Sequence, residues 1–315
     1  MYWLSICIPT NGILEWMKPV MESILSQKAD PSEYEIVVSD NGDHEDFKEY
    51  IKKVASEHEN VSYHESEAQG FLNQLDAFRM ASGVFIKFLN HRFTLKDGAV
   101  EELIQVAKDY HEKKPQLYFT NETLGKEKMY HLTSFDEYVK KLGFYSSWSG
   151  GVAFWKDDPI KEETSSTYFP HLEMVLNPDK EEYVIDNTHI MDELPSDSTK
   201  KGRYNLFDAF AVDYYEYYVR MYEAGQISES ALNDFKKKLS FYLASLYSDF
   251  IMNETPCSYS LDGYEEHISK YFDLESIKKN ALVLNTRSKR EEKRKKALEE
   301  KRRQKDNAKH SGEKQ

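Results

Sequence analysis

Apolar and polar positions follow two periodicities along this chain. Over roughly the first two hundred residues, short apolar runs ending in polar turns alternate with stretches whose apolar residues recur every three or four positions. Trp3-Leu4-Ser5-Ile6-Cys7-Ile8 reads as a first strand closed by Pro9 and followed by the turn Thr10-Asn11-Gly12. Leu14, Met17, Met21, Ile24 and Leu25 then predict a helix, in which Pro19 is tolerable only within the first turn. Tyr34 to Ser39 predicts a second strand ending in the polar turn Asp40-Asn41-Gly42-Asp43, and Phe47, Ile51 and Val54 supply the stripe of the next helix. Val61 to His64 is a short third strand, and Leu72, Leu75, Phe78 and Arg79 mark a helix after Gly70. Val84, Phe85, Ile86, Phe88 and Leu89 have the pattern of a central strand buried on both faces, and they run straight into Asn90-His91-Arg92. In open α/β sheets ligands bind at that end of the strands, so the triplet is a candidate site. Four strands alternating with helices predict a right-handed, mostly parallel α/β sheet.

A helix is expected from near Ala99 through Val106-Ala107, a strand over Gln116 to Thr120, and a helix from Phe135. The double glycine of Ser149-Gly150-Gly151 precedes a strand over Val152 to Trp155. A short helix follows at Met174 to Leu176, and the last strand is Tyr183 to Asn187. From Leu206 only helical spacing remains. Phe207, Phe210, Tyr214, Tyr217 and Met221 form one stripe, Gly225 interrupts it, and Phe235, Leu239, Tyr242, Leu246 and Phe250 resume it as core positions. The expected organisation is an α/β domain over 1–195, a helical C-terminal appendage over 196–285, and a charged tail over 286–315, helical or disordered.

Composition narrows the function classes. The overall charge is −13, but from Arg287 onward thirteen Lys/Arg face six Asp/Glu, a net of +7 that leaves −20 on the preceding residues. So acidic a body argues against a duplex-binding face, and no specific nucleic-acid partner is expected. Cys7 and Cys257 are the two cysteines of the sequence and lack metal-ligand spacing, so a reducing cytoplasm is expected. No apolar run approaches membrane-spanning length, and the opening residues lack the pattern of a secretory leader. The basic tail reads as a solvated solubility tail, as a handle for the anionic inner face of the membrane, or as a weak nucleic-acid contact.

Three ordered blocks carry a family resemblance: Ser5 to Asn11, the turn Ile36 to Gly42, and Gly70, Asn73, Ala77, Ala81 and Gly83 before the central strand. Together, over about the first 195 residues, they resemble the nucleotide-binding half of family 2 glycosyltransferases. The resemblance implies a GT-A fold, a three-layer nucleotide-diphospho-sugar transferase sandwich. It also implies a hexosyltransferase activity on a nucleotide-sugar donor, UDP-linked by expectation, with a surface glycan or lipid-linked saccharide as acceptor. The alternative is a catalytically inactive nucleotide-sugar-binding or scaffolding subunit.

The resemblance also implies roles for particular residues. Pro9, Thr10, Asn11, Asp40, Asn73, Asn90 and Arg92 are the donor-binding candidates, with Asp40 accepting from a uracil ring N–H. Where the family has Asp-x-Asp, this chain has Asn90-His91-Arg92. An amide and a guanidinium cannot replace the carboxylates that hold Mg²⁺ or Mn²⁺, whereas Arg92 can meet phosphate oxygens with fixed charge. The expectation is therefore a metal-independent enzyme, with His91 and His189 as the remaining candidates for an imidazole-based metal site. Glu173 and Asp158 are the candidate general bases, and Asp157 and His171 follow them. Trp148, Gly150, Gly151 and His171 are the acceptor-binding candidates.

Overall fold

The computed structural model describes residues 1–160, 164–195, 197–200, 202–287, 289–290 and 294. Most of the charged tail expected over 286–315 lies outside the described residues. In chain order the strands are β1 (Leu4–Thr10), β2 (Tyr34–Asp40), β3 (Val61–Glu65), β4 (Phe85–Phe88), β5 (Phe93–Leu95), β6 (Gln116–Phe119), β7 (Met129–Leu132), β8 (Val152–Trp155), β9 (Tyr183–Asp186) and β10 (Met191–Glu193). The helices are α1 (Leu14–Leu25), α2 (Glu45–Glu57), α3 (Asn73–Met80), α4 (Ala99–Tyr110), α5 (Phe135–Leu142), α6 (Leu172–Val175), α7 (Tyr214–Glu223), α8 (Glu229–Leu246) and α9 (Tyr264–Ser269). The chain divides into two compact units, Met1–Asp197 with Asp213–Lys236, and Ser198–Val212 with Lys237–Gln315. None of the described helices is long and apolar enough to cross a membrane.

The first unit is built on an eight-stranded sheet of order β3-β2-β1-β4-β8-β6-β9-β7. β1 to β4 are mutually parallel, β8 runs antiparallel between β4 and β6, and β7 is antiparallel to β9. On one face Leu4, Ile6 and Ile8 of β1 pack with Met17 and Val20 of α1, Phe47 and Ile51 of α2, and Val100 and Leu103 of α4. On the other, Phe78 of α3 meets Phe154 and Phe88 edge-on at 5.0 and 6.1 Å, and the Cys7 thiol lies against the Ala77 carbonyl. Such ring pairs contribute about 0.5–1.5 kcal/mol each beyond burial.

Several expectations need correction. β1 continues through Pro9 to Thr10. Trp3 and Cys7 turn their carbonyls to β4, so alternation turns Pro9 the same way, and the β4 ladder has already ended at Phe88, where no donor is missed. Pro19 sits inside α1 and not in its first turn; the ladder bond it cannot donate would run to the carbonyl of Glu15, an exposed residue. The short strands β5, β7 and β10 escape the apolar pattern. β5 and β10 form a small antiparallel sheet beside the candidate triplet.

Two buried polar anchors set the height of β4. The Glu35 carboxylate accepts from the Ser5 hydroxyl at 2.5 Å and from the amides of Ser82 and Gly83 at 2.5 and 3.1 Å, clamping the start of β4 to β1 and β2. Lys87, 1% exposed, donates from Nζ to the carbonyls of Phe88 and Gly150 at 2.6 and 2.5 Å, and burial pulls its pKa down to about 7. In the second unit Phe210 meets Tyr242 edge-on at 5.1 Å, His267 faces Asp208 at 3.4 Å, and the aromatic positions Phe207 and Phe210 are buried, as core spacing predicts.

The double glycine is a packing requirement. A Cβ on Gly151 would lie 2.2 Å from Cζ of Tyr118 and 2.4 Å from the carbonyl oxygen of Phe119 in β6. Gly151→Ala should cost about 1–3 kcal/mol in urea unfolding, and a change below about 0.5 kcal/mol would show that β6 gives way freely.

Candidate functional site

The parallel strands bring Thr10, Asp40 and Asn90 to one rim of the sheet, and backbone and side-chain bonds knit them together. The Thr10 carbonyl accepts from the Asn41 amide and from Asn73 Nδ2, both at 3.1 Å. Asn73 also donates to the Ser39 carbonyl at 2.8 Å and accepts from the Ser39 hydroxyl at 2.6 Å, so its side chain is engaged in holding β1 and β2 together. Asp40, 1% exposed, accepts from the Gly42 amide at 2.8 Å and the Tyr63 hydroxyl at 3.2 Å. Burial raises its pKa, and those two bonds oppose the rise. Asn11 is exposed and Pro9 half-buried. The Asn11 carbonyl closes over Gly42, where a Cβ would fall 2.0 Å from it.

The triplet forms a tight turn at the end of β4. Asn90 Oδ1 accepts from the Arg92 amide at 3.1 Å, and its carbonyl accepts from Phe93 at 2.9 Å, starting β5. His91 Nδ1 lies 2.9 Å from Thr10 Oγ1. Trp16, in the first turn of α1, packs on both neighbours: its ring is 5.3 Å from that of His91 and 5.7 Å from the Arg92 guanidinium carbon. Arg92 Nη1 is buried and has no hydrogen-bond partner among the described residues. A buried donor left unpaired costs about 1–3 kcal/mol, more on a charged group, so an acceptor is expected there. Trp16, Tyr63 and Lys87 were absent from the sequence-derived candidates. Trp16 had one available signal, an aromatic residue in the first turn after a strand's C-terminal end.

The remaining candidates separate. Register places Trp155 opposite Phe85, so Asp157 and Asp158 fall at the other end of β4, where Lys114 and Lys180 pair with them and Asp158 also accepts from the Trp155 amide. The structure thus does not bring Asp158 to the rim. Trp148 packs on Gly150 and lies 5.6 Å from Phe93 of β5. His171 is 2% exposed, with Nε2 at 3.0 Å from the Ser146 carbonyl and Nδ1 unpartnered among the described residues. Glu173 is half-buried and accepts from the Ser165 hydroxyl at 2.7 Å, with its charge near Tyr217.

The residues at the triplet do not fit a hard divalent cation. The Asn90 amide oxygen is engaged, Arg92 is cationic, and no carboxylate replaces the pair such an ion requires. His189 lies instead between Asp192 and Glu122, at 3.0 and 3.5 Å. No group of three or more His, Cys, Asp or Glu able to hold a metal occurs among the described residues.

This sheet order, with a parallel half and an antiparallel β8, is that of a GT-A fold. Residues 5–146 match the family model described as Glycosyl transferase family 2. Among solved structures, S. aureus TarS 1–349 aligns with a TM-score of 0.54 at 14% identity, over 79% of this chain and 74% of that one. The same TarS segment in complex with UDP-GlcNAc gives 0.55 at 13% identity, over 90% and 84%. A longer TarS structure gives 0.50 at 14% identity, over 79% of this chain and 44% of that one. A search of curated proteins returned no match.

Two histidines give the unit a pH signature. Burial, aided by the Arg92 charge, lowers the His91 pKa to about 3, and burial lowers that of His171 to about 4. Both are neutral when folded, while the unfolded chain titrates near ~6.5. Their contribution is complete above that value and is lost as pH falls toward 4, at about 1.4 kcal/mol per pH unit per histidine. His171→Gln should halve that part of the slope in urea unfolding between about pH 7.5 and 5. An unchanged slope would mean that His171 protonates freely in the fold.

Proposed function

We propose that this chain transfers a hexose from a UDP-linked donor to a glycan acceptor, such as a lipid-linked saccharide, without a bound metal ion. The observation that carries the reading is the buried, unpartnered Nη1 of Arg92 at the rim where Asp40 and Asn90 converge. Binding of UDP-GlcNAc and UDP by TarS supports the choice of nucleotide. The turn Pro9 to Asn11 and Asp40 face the base, Asn90 meets the ribose, and Arg92 meets the diphosphate. As the bond from the anomeric carbon to the diphosphate oxygen breaks, negative charge develops on that oxygen. A fixed guanidinium stabilises it most where water is excluded. The acceptor hydroxyl oxygen forms the new bond to the anomeric carbon and gives its proton to a carboxylate. Glu173 takes this role because Asp158 is committed to Lys180 at the opposite rim, while Glu173 is half-buried beside His171. Trp148 and His171 border the acceptor, and the basic tail brings the protein to the anionic inner face of the membrane.

UDP-GlcNAc should raise the melting temperature equally in excess EDTA and in Mn²⁺. Arg92→Ala should lower transfer about 10²–10³-fold. Dependence of the wild type on Mn²⁺ would overturn the metal-free mechanism. Glu173→Gln should reduce turnover about 10²–10⁴-fold with donor affinity intact; unchanged turnover would move the base to another residue. A wild type that binds donor but neither transfers nor hydrolyses it would be a nucleotide-sugar-binding subunit.

A further inference from the structure

The hydrogen-bond inventory at Thr10 determines which nitrogen of His91 carries the proton. Thr10 is 3% exposed, and its Oγ1 accepts from the Gly12 amide at 3.0 Å. Its hydroxyl proton has one acceptor within reach among the described residues, His91 Nδ1 at 2.9 Å. A buried hydroxyl retains a partner for its proton when one is in range. Nδ1 is therefore the acceptor, and the ring proton is on Nε2. No described residue accepts from Nε2. Trp16 holds the ring in place, and the neighbouring residue supplies the second unengaged donor, Arg92 Nη1. We propose that Thr10 is a positioning residue which locks His91 as the neutral Nε2–H tautomer, so that His91 donates a hydrogen bond to the donor's diphosphate beside Arg92.

The proposal rests on the reading that a nucleotide diphosphate occupies this rim, and it adds a residue to that reading. The opposite tautomer would present a lone pair, which repels phosphate oxygen. A neutral ring also avoids placing a second cation against Arg92, in keeping with the lowered pKa of His91. The turn thus offers a diphosphate one charged and one neutral donor, both preorganised. Hydrogen bonds aimed at developing charge act chiefly on the chemical step.

Two measurements test it. Long-range ¹H–¹⁵N correlation of the unliganded wild type at neutral pH should place the His91 proton on Nε2. A proton on Nδ1, or on both nitrogens, would overturn the proposal without any variant being made. With UDP-GlcNAc as probe, Thr10→Val should lower kcat about tenfold with little change in KM, as expected for one lost oriented bond of roughly 1.4 kcal/mol. Thr10→Ser keeps the hydroxyl and should restore most of the rate, and His91→Gln should retain more activity than His91→Phe. Equal rates for Thr10→Val and Thr10→Ser would overturn the role of the hydroxyl while leaving the donor site standing. Failure of the wild type to bind UDP would remove the donor site and the role of His91 together, and that outcome is distinguishable because it involves no variant.

Discussion

The rim of this sheet is held together at Thr10. Its carbonyl receives Asn41 and Asn73, and its hydroxyl receives Gly12 and lies against His91. One residue at the end of β1 thereby sets the turn after β2, the start of α3, the turn into α1 and the turn after β4. None of these four segments has regular ladder partners of its own at that height. Without the bonds to Thr10 the amides of Gly12 and Asn41 would lose the partners they have here, and buried polar groups without partners are strongly disfavoured. The parallel strands supply the platform, and Thr10 converts four loose ends into one surface.

That surface has an unusual charge arrangement. Arg92 is permanently cationic, partly covered by Trp16, and not paired with any carboxylate among its described contacts. Desolvating a cation without an anion is expensive, and a structure tolerates it where a ligand returns the missing interaction. The residues before Arg287 carry −20 overall, so a cation left unpaired in such a body stands out. Asn90, which in the resembling family would be acidic, here spends its amide oxygen on the Arg92 backbone and so shapes the turn that presents the guanidinium. Under the proposed metal-free reading the absence of carboxylates and the placement of the arginine go together, because an acidic pair would neutralise Arg92 and cancel its use toward phosphate.

Legibility in the sequence followed a simple physical divide. Elements whose stability comes from apolar burial were visible: the runs of β1, β2 and β4, the stripe Phe47, Ile51 and Val54 of α2, and the location of the triplet at a strand end. Elements held by backbone pairing alone were not, and β5, β7 and β10 have mixed composition that no periodicity marks. Polar residues buried by tertiary contact escaped as well. Lys87 reads as a polar interruption of β4, yet it is buried because the Gly150 carbonyl comes down from a segment 63 residues later. For the same reason Gly150 and Gly151 read as ligand-facing from sequence, whereas the rings of Trp148 and Tyr118 occupy the space a side chain would need. The reach of Trp16 to the triplet depends on the parallel pairing of β1 with β4, a long-range fact that local pattern does not contain.

In the proposed mechanism a covalently attached cation takes the place of a bound ion, and that would change what the fold must do. A metal site can be assembled from flexible acidic side chains, because the ion itself draws them together. A guanidinium must be aimed in advance, since it has no other ligand to organise it and loses considerable rotamer freedom when fixed. The observed structure meets that demand with rigid parts: a four-residue strand clamped at its start by Glu35, a turn closed by Asn90, a tryptophan face and the short β5–β10 sheet immediately beyond. The backbone of Arg92 is fixed from the far side too, because its carbonyl accepts from Leu194 just past β10. Rigidity around the triplet is thus what the proposed use of Arg92 requires, and the small turn is braced accordingly.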